Sequence, residues 1–246
     1  MANMKKAICY VVALGLALGV LIRFAPDHLS RPGADMLSWD EAARAGDSVR
    51  LAKELSHFQI LKFIKHVLSL NWWPPLHPLL LSFFCLAIGP TLWAAILPSL
   101  IAYIFGILSL LFLYESLVPG KREERIFGLS FLLAVATTSP FLLSSAGWAM
   151  LEIFGVGLTS LGFAFYFRAR HSERLNFYVI SAIMVFLLWI LKYSYGLFIT
   201  AFLAVLELGR SRKAIRGPIF PRMARLLLRP VLYPAYIFLV VIALII

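Results

Sequence analysis

Residues 78–89, PLLLSFFCLAIG, decide how the rest of the chain is threaded. Twelve apolar residues are too few for a helix crossing of the hydrocarbon core, which takes about 20. They suit a re-entrant or interfacial piece better. The choice can be tested by parity. If 78–89 does not cross, then Lys5 and Lys6, the loops 119–125 (PGKREER) and 168–174 (RARHSER), and residues 209–230 all share one side. Those regions hold two, three, three and seven basic residues, 15 of the 23 Lys and Arg. If 78–89 crosses, every later basic loop moves to the other side. The excess of Lys and Arg in cytoplasmic loops favours the first arrangement.

The question arises because the chain reads as a polytopic helical membrane protein. Its 246 residues are 61% hydrophobic and 14% charged, where soluble domains carry about 25% charged residues. Mean hydropathy is +0.88. About seven spans are expected, at 7–25, 93–115, 126–147, 150–167, 175–192, 195–208 and 231–246. The run 175–208 is long for one crossing and short for two; parity favours two. Residues 7–25 follow two lysines but lead into APDHLSRPG, a poor cleavage site, so they read as an uncleaved first helix rather than a signal peptide. The net charge of +11 is assigned to cytoplasmic loops near anionic lipid, not to nucleic acid. Cys9 and Cys85 have no spacing that suggests a metal or a disulfide. The chain is taken as one transmembrane domain, 1–246.

Residues 26–92 then form a single outer-side segment with six acids and six bases. Within it, 39–55 reads as a short polar helix, with Ser38-x-x-Glu41 as a capping box. Residues 58–70 put apolar side chains at 60, 61, 64, 67 and 68 against Lys62, Lys65 and His66, the pattern of a helix lying in the membrane surface. NWWPPLHP follows, stiffened by Pro74 and Pro75.

Several polar residues stand out. Asp40 and Glu41 sit side by side in the first turn of the polar helix, where the helix dipole keeps an acid ionised. Capping alone would explain them; so would a general base. Glu152 and Lys192 fall at the outer ends of their spans, where an ionisable group costs about 2.5–3.5 kcal/mol unless it faces a cavity or partner. Each also has a plain reading, an interfacial acid and a snorkelling lysine. His77 reads as a helix-start polar residue or a catalyst, and Trp72 and Trp73 as membrane anchors or acceptor contacts. Asp27, Asp35, Asp47 and Glu54 read as ordinary solvated acids, and His28, His57 and His66 lack ligand spacing.

The order of these features is WDEAA in the first outer loop, PPLHPLLL, GPTLWAAILPSLIAYIFGILSLLFLYESLV, SPFLLSSAGWAMLEIFGVGLTSLGFAFYFRAR and LLWILKYSYGLFI. Over about residues 7–210 it resembles the GT-C fold glycosyltransferases that use polyprenyl-phosphate sugars. The bacterial branch similar to protein O-mannosyltransferases and aminoarabinose transferases is the nearest in pattern. The resemblance implies an inverting sugar transfer at the outer face of a bacterial inner membrane, with the N-terminus in the cytoplasm. The implied partners are a polyprenyl-phosphate-sugar donor, a lipid, glycan or protein acceptor, and membrane lipids. It implies a catalytic role for Asp40, with Glu41 beside it and Glu152 as a second acid. Lys192 and Tyr193 would bind the donor phosphate, and Trp72, Trp73 and His77 would contact acceptor or lipid. Glu152 would hold the acceptor or a metal; members of the family differ in metal dependence, so no metal is claimed and the cofactor is open. The chain ends at Ile246 inside an apolar run, where such enzymes usually continue, so a fragment, a truncated gene product or one half of an assembly is expected. The rival readings are a transporter or lipid-carrier flippase, which would need polar groups at mid-membrane, and a non-catalytic remnant.

Overall fold

The structure, a computed structural model, describes residues 10–20, 22, 39–70, 75–118, 122–139, 142, 152–172 and 174–214. At 39–41, 122–127 and 208–214 it describes the backbone alone. Among these residues the protein is all helical. The helices are α1 (Tyr10–Val20), α2 (Trp39–Ser56), α3 (Ile60–Leu68), α4 (Leu76–Ile88), α5 (Leu92–Leu117), α6 (Arg122–Thr138), α7 (Glu152–Ser172), α8 (Leu175–Leu191) and α9 (Tyr193–Ala214).

One of them, α5, is long and apolar enough by length and composition to cross a membrane. It starts where Thr91 accepts a hydrogen bond from the Ala94 N–H at 3.3 Å, satisfying one orphan donor of the first turn. The other expected spans are shorter or end in charge. Helix α8 has 17 residues, α7 runs into RARHS, and α9 into GRSRKA. Of the expected span 126–147, α6 covers the part as far as Thr138. Residues 231–246 lie outside the described residues. The awkward segment 78–89 is the 13-residue helix α4, closed by Gly89 at φ +81°.

Contacts along the helices fix their directions. Tyr103 donates to the Thr137 carbonyl at 3.3 Å, and Tyr114 packs on Gly128, so α5 and α6 are antiparallel. Gly106 lies against Ile153, and Arg168 Nε donates to Ser116 Oγ at 3.0 Å, so α7 returns parallel to α5. Ser181 donates to the Gly162 carbonyl at 2.8 Å and the rings of Tyr166 and Tyr178 meet, which makes α8 antiparallel to α7. The run 175–208 is therefore two helices folded back on each other at Lys192. Trp189 Nε1 donates to Thr200 Oγ1 at 3.1 Å across the fold. A Cβ at Gly196 would lie 2.8 Å from Trp189 Cα, so only glycine lets the two backbones approach this closely. Gly196→Val should cost about 1–3 kcal/mol by overpacking, seen as a lower unfolding midpoint in detergent.

The interior mixes alanines with fully buried large side chains such as Tyr103, Tyr166, Ile107 and Leu188, and large apolar side chains also cover the exterior. Ala94, Ala95, Ala102, Ala164 and Ala169 are buried, while Phe131, Phe198, Leu197 and Val205 are exposed. Helix α1 turns Ala13 and Ala17 inward and leaves Val11, Leu14 and Leu18 outside. Small residues at helix interfaces and apolar side chains outward form the distribution expected where the surroundings are lipid.

Helices α2 and α3 follow the expected ranges closely. Helix α3 has no buried residue, and Phe58, Ile60, Leu61, Ile64 and Leu68 are all exposed. Its polar side is tied down. His66 Nδ1 lies 3.3 Å from Glu54 Oε2, and His66 Nε2 3.9 Å from Asp47 Oδ1. This corrects the reading of Glu54 as a solvated acid: it is buried under α3, with Arg50 Nε also 3.7 Å from it. The turn after α2, with Phe58 at φ +54°, folds α3 back over it.

Candidate functional site

The contacts above sort the helix ends into two groups. The C-terminal ends of α5, α7 and α9 and the N-terminal ends of α6 and α8 share one end of the bundle, with Arg168, Arg170, His171 and Arg174. Glu152, Lys192 and the start of α4 lie towards the other.

There the chain breaks between α8 and α9. Lys192 is extended (φ −159°), its N–H donating to the Leu188 carbonyl at 2.9 Å. Its own carbonyl accepts from Tyr195 and Gly196 at 3.0 and 3.2 Å, opening the next helix. One residue thus ends one helix, starts another and projects its ammonium between them. Nζ lies 3.2 Å from Glu152 Oε1 and 5.0 Å from the centroid of the Tyr195 ring. Glu152 stands in the first turn of α7, where the helix dipole stabilises its charge. Its second oxygen, Oε2, is buried and has no hydrogen-bond partner among the described residues. Gly155, one turn on, makes room for Tyr195, whose Cε2 would be 2.6 Å from a Cβ there.

His77, in the first turn of α4, is fully buried, with its ring edge-on to Phe154 at 6.1 Å. Neither ring nitrogen has a hydrogen-bond partner among the described residues. Burial, with the Arg44 charge nearby, pushes its pKa from 6.5 down to about 3. The folded protein therefore holds His77 neutral, while the unfolded chain takes up a proton below about pH 6.5. Its contribution to stability is complete above pH 6.5 and is lost as pH falls from there towards 3. In detergent, unfolding midpoints measured across that window should fall less steeply for His77→Leu than for the wild type.

Arg44 joins these groups. It is buried on α2, and its charge acts on both His77 and Tyr195. It belongs to the inward stripe Arg44, Ser48, Leu51 and Ala52, spaced three and four apart. Asp40 comes four residues before Arg44 in the sequence of α2. The side chains of Asp40 and Glu41, and Trp72 and Trp73 altogether, lie outside the described residues. Tyr193 opens α9 and is exposed.

Of the expected residues, the structure thus brings Glu152 and Lys192 into contact and puts His77 beside Phe154, two residues after Glu152. Sequence reasoning passed over Arg44 and Tyr195. Arg44 follows Asp40 by four on a polar helix, which is a signal only once the inward face of α2 is known. Tyr195 follows Lys192 by three, and chain reversal at Lys192 brings it under the ammonium. Among the described residues no cluster of His, Cys, Asp and Glu has the makings of a metal site.

No protein-family model matches the chain, no curated protein matches it, and no solved structure matches it. The chemistry must be argued from the groups themselves. An ammonium and a guanidinium are the cationic groups suited to an anion. Glu152 Oε2 and the two nitrogens of a neutral imidazole offer acceptor and donor positions for hydroxyl groups. Anion recognition beside hydroxyl recognition is what a sugar phosphate ester requires.

Proposed function

We propose that this chain is a multi-span membrane glycosyltransferase of the GT-C type. It moves a sugar from a polyprenyl-phosphate carrier to an acceptor at the face of a bacterial inner membrane away from the cytoplasm. The observation that carries the reading is the Lys192–Glu152 pair, 3.2 Å apart, at the bundle end opposite the basic helix termini. The positive-inside rule assigns the basic end to the cytoplasm. Helix α8, 17 residues and hence about 25 Å long, starts beside Arg174 and falls short of a 30 Å core. The pair thus sits at the inner edge of the far headgroup layer, within reach of a lipid-linked phosphate and of water.

The transfer is an in-line displacement. The acceptor hydroxyl oxygen bonds to the anomeric carbon as the bond from that carbon to the phosphate oxygen breaks. The electron pair leaves on the phosphate, and the configuration inverts. Lys192 neutralises the charge that gathers on the leaving phosphate. Asp40 accepts the hydroxyl proton, with Glu41 at its side. Glu152 holds Lys192 in place through Oε1 and offers Oε2 to a sugar or acceptor hydroxyl. Tyr193, Trp72, Trp73 and His77 are assigned to donor, acceptor or lipid contact.

The amphipathic helix α3 rests in the headgroup layer, with its exposed apolar face inserted and Lys62 and Lys65 towards anionic lipid. Leu61→Asp and Leu68→Asp together should slow transfer several-fold in vesicles while leaving the unfolding midpoint in detergent unchanged, since neither side chain is buried in protein.

A carrier flippase is the second reading; the polar pair buried in the bundle that bears on it, Tyr166–Glu207 at 2.6 Å, lies towards the basic end. Purified protein in proteoliposomes with a polyprenyl-phosphate donor labelled in the sugar separates the two. Glycosyl transfer releases label from the phosphate; a flippase moves the intact donor across and leaves the glycosyl bond whole.

A further inference from the structure

The other end of the bundle holds a second group of cations, and they are not equivalent. Arg168 is committed to the protein. Its Nε donates to Ser116 Oγ at 3.0 Å, an amino group lies 3.8 Å from Glu115 Oε2, and the guanidinium stands 3.8 Å over the Phe112 ring. Arg170 is different. Among the described residues no carboxylate lies within 4.0 Å of it, and its guanidinium is 5.9 Å from the Tyr166 ring. It borders a surface cavity of about 350 Å³ whose walls are Arg170, His171, Leu117 and Phe167. Among the described residues of its wall, two bring nitrogen donors and two are apolar.

We infer that this cavity binds the phosphate head of an anionic phospholipid. The guanidinium and the imidazole hold the phosphate oxygens, and Leu117 and Phe167 receive the first methylenes of the lipid. A bare phosphate ion would use only the polar half. Leu117 ends α5, and Arg170 and His171 end α7, so the cavity opens where two apolar helices stop. Anionic headgroups sit at that depth, and one nearby cationic side chain contributes about fivefold to their binding. The site lies at the far end of α7 from Glu152, so it stands or falls independently of the donor site.

The test uses the full chain in nanodiscs of phosphatidylcholine containing a minor fraction of labelled phosphatidylglycerol, followed by extraction into mild detergent and measurement of lipid retained per protein. The wild type should retain phosphatidylglycerol in preference to phosphatidylcholine. Arg170→Gln should lower that preference about fivefold or more, whereas Arg174→Gln, at the N-cap of the neighbouring helix and not in the cavity wall, should lower it less. His171→Gln, at an exposed position, should lower it in the same direction, and it carries the test if Arg170→Gln does not fold. Millimolar inorganic phosphate should not displace the lipid. Equal retention of the two lipids by the wild type, full retention by the folded Arg170→Gln or, failing that variant, by His171→Gln, or displacement by phosphate alone would overturn the inference.

Discussion

Lys192→Ala should lower the rate of sugar transfer from a polyprenyl-phosphate donor by about 100-fold or more. Removing one group that stabilises charge developing in a transition state costs about 10²–10³ in rate. The residue has no comparable structural duty through its side chain. The break between α8 and α9 is made by its backbone, whose N–H and carbonyl bond to Leu188, Tyr195 and Gly196. An alanine keeps those bonds, so the variant should fold. Its partner pair is partly exposed, 37% for Lys192 and 22% for Glu152, and an ion pair that open to water adds little to stability. The loss should therefore appear in kcat more than in the unfolding midpoint. Lys192→Arg, which keeps the charge and the reach, should recover much of the rate. If the ammonium only reaches outward to water, Lys192→Ala will transfer sugar within a few-fold of the wild type.

Asp40→Asn should lower transfer by about 10²–10⁴, the range general-base catalysis supplies, with donor binding little changed. The asparagine is nearly the same size and gives up only the charge–dipole interaction of the first turn, about 0.3–1 kcal/mol. A residue whose only task is to start α2 should tolerate that change, so the substitution separates a cap from a base.

The segments that were legible in the sequence are the ones governed by local rules. Helices α2 and α3 follow from a polar run and an amphipathic one, and α4 from twelve apolar residues between Pro78 and Gly89. The fold-back at Lys192 follows from a run too long for one crossing, with a lysine at its middle. What could not be read depends on which faces meet. Glu54 is an acid in a polar helix until α3 folds over it and His66 reaches it. Tyr166 and Glu207 are 41 residues apart and meet because α7 and α9 run parallel around α8. Arg44 gains its place beside His77 from the packing of α2 on α4, and no spacing within either helix announces it. The pairing of Glu152 with Lys192 is intermediate: charge parity puts both at one end, but only the approach of α7 to α8 brings them to 3.2 Å.

The central claim is that the acids opening α2 share one hollow with Lys192 and Glu152. The most direct measurement is cross-linking of a chain with cysteines at positions 40 and 192, with Cys9 and Cys85 replaced, in native membranes. A bismaleimide with a reach of about 11 Å, two helical turns, should join the two sites at high yield, and a control pair at 40 and 171 should stay unlinked. No cross-link between 40 and 192 in folded protein, with both cysteines reactive to a small maleimide, would contradict it.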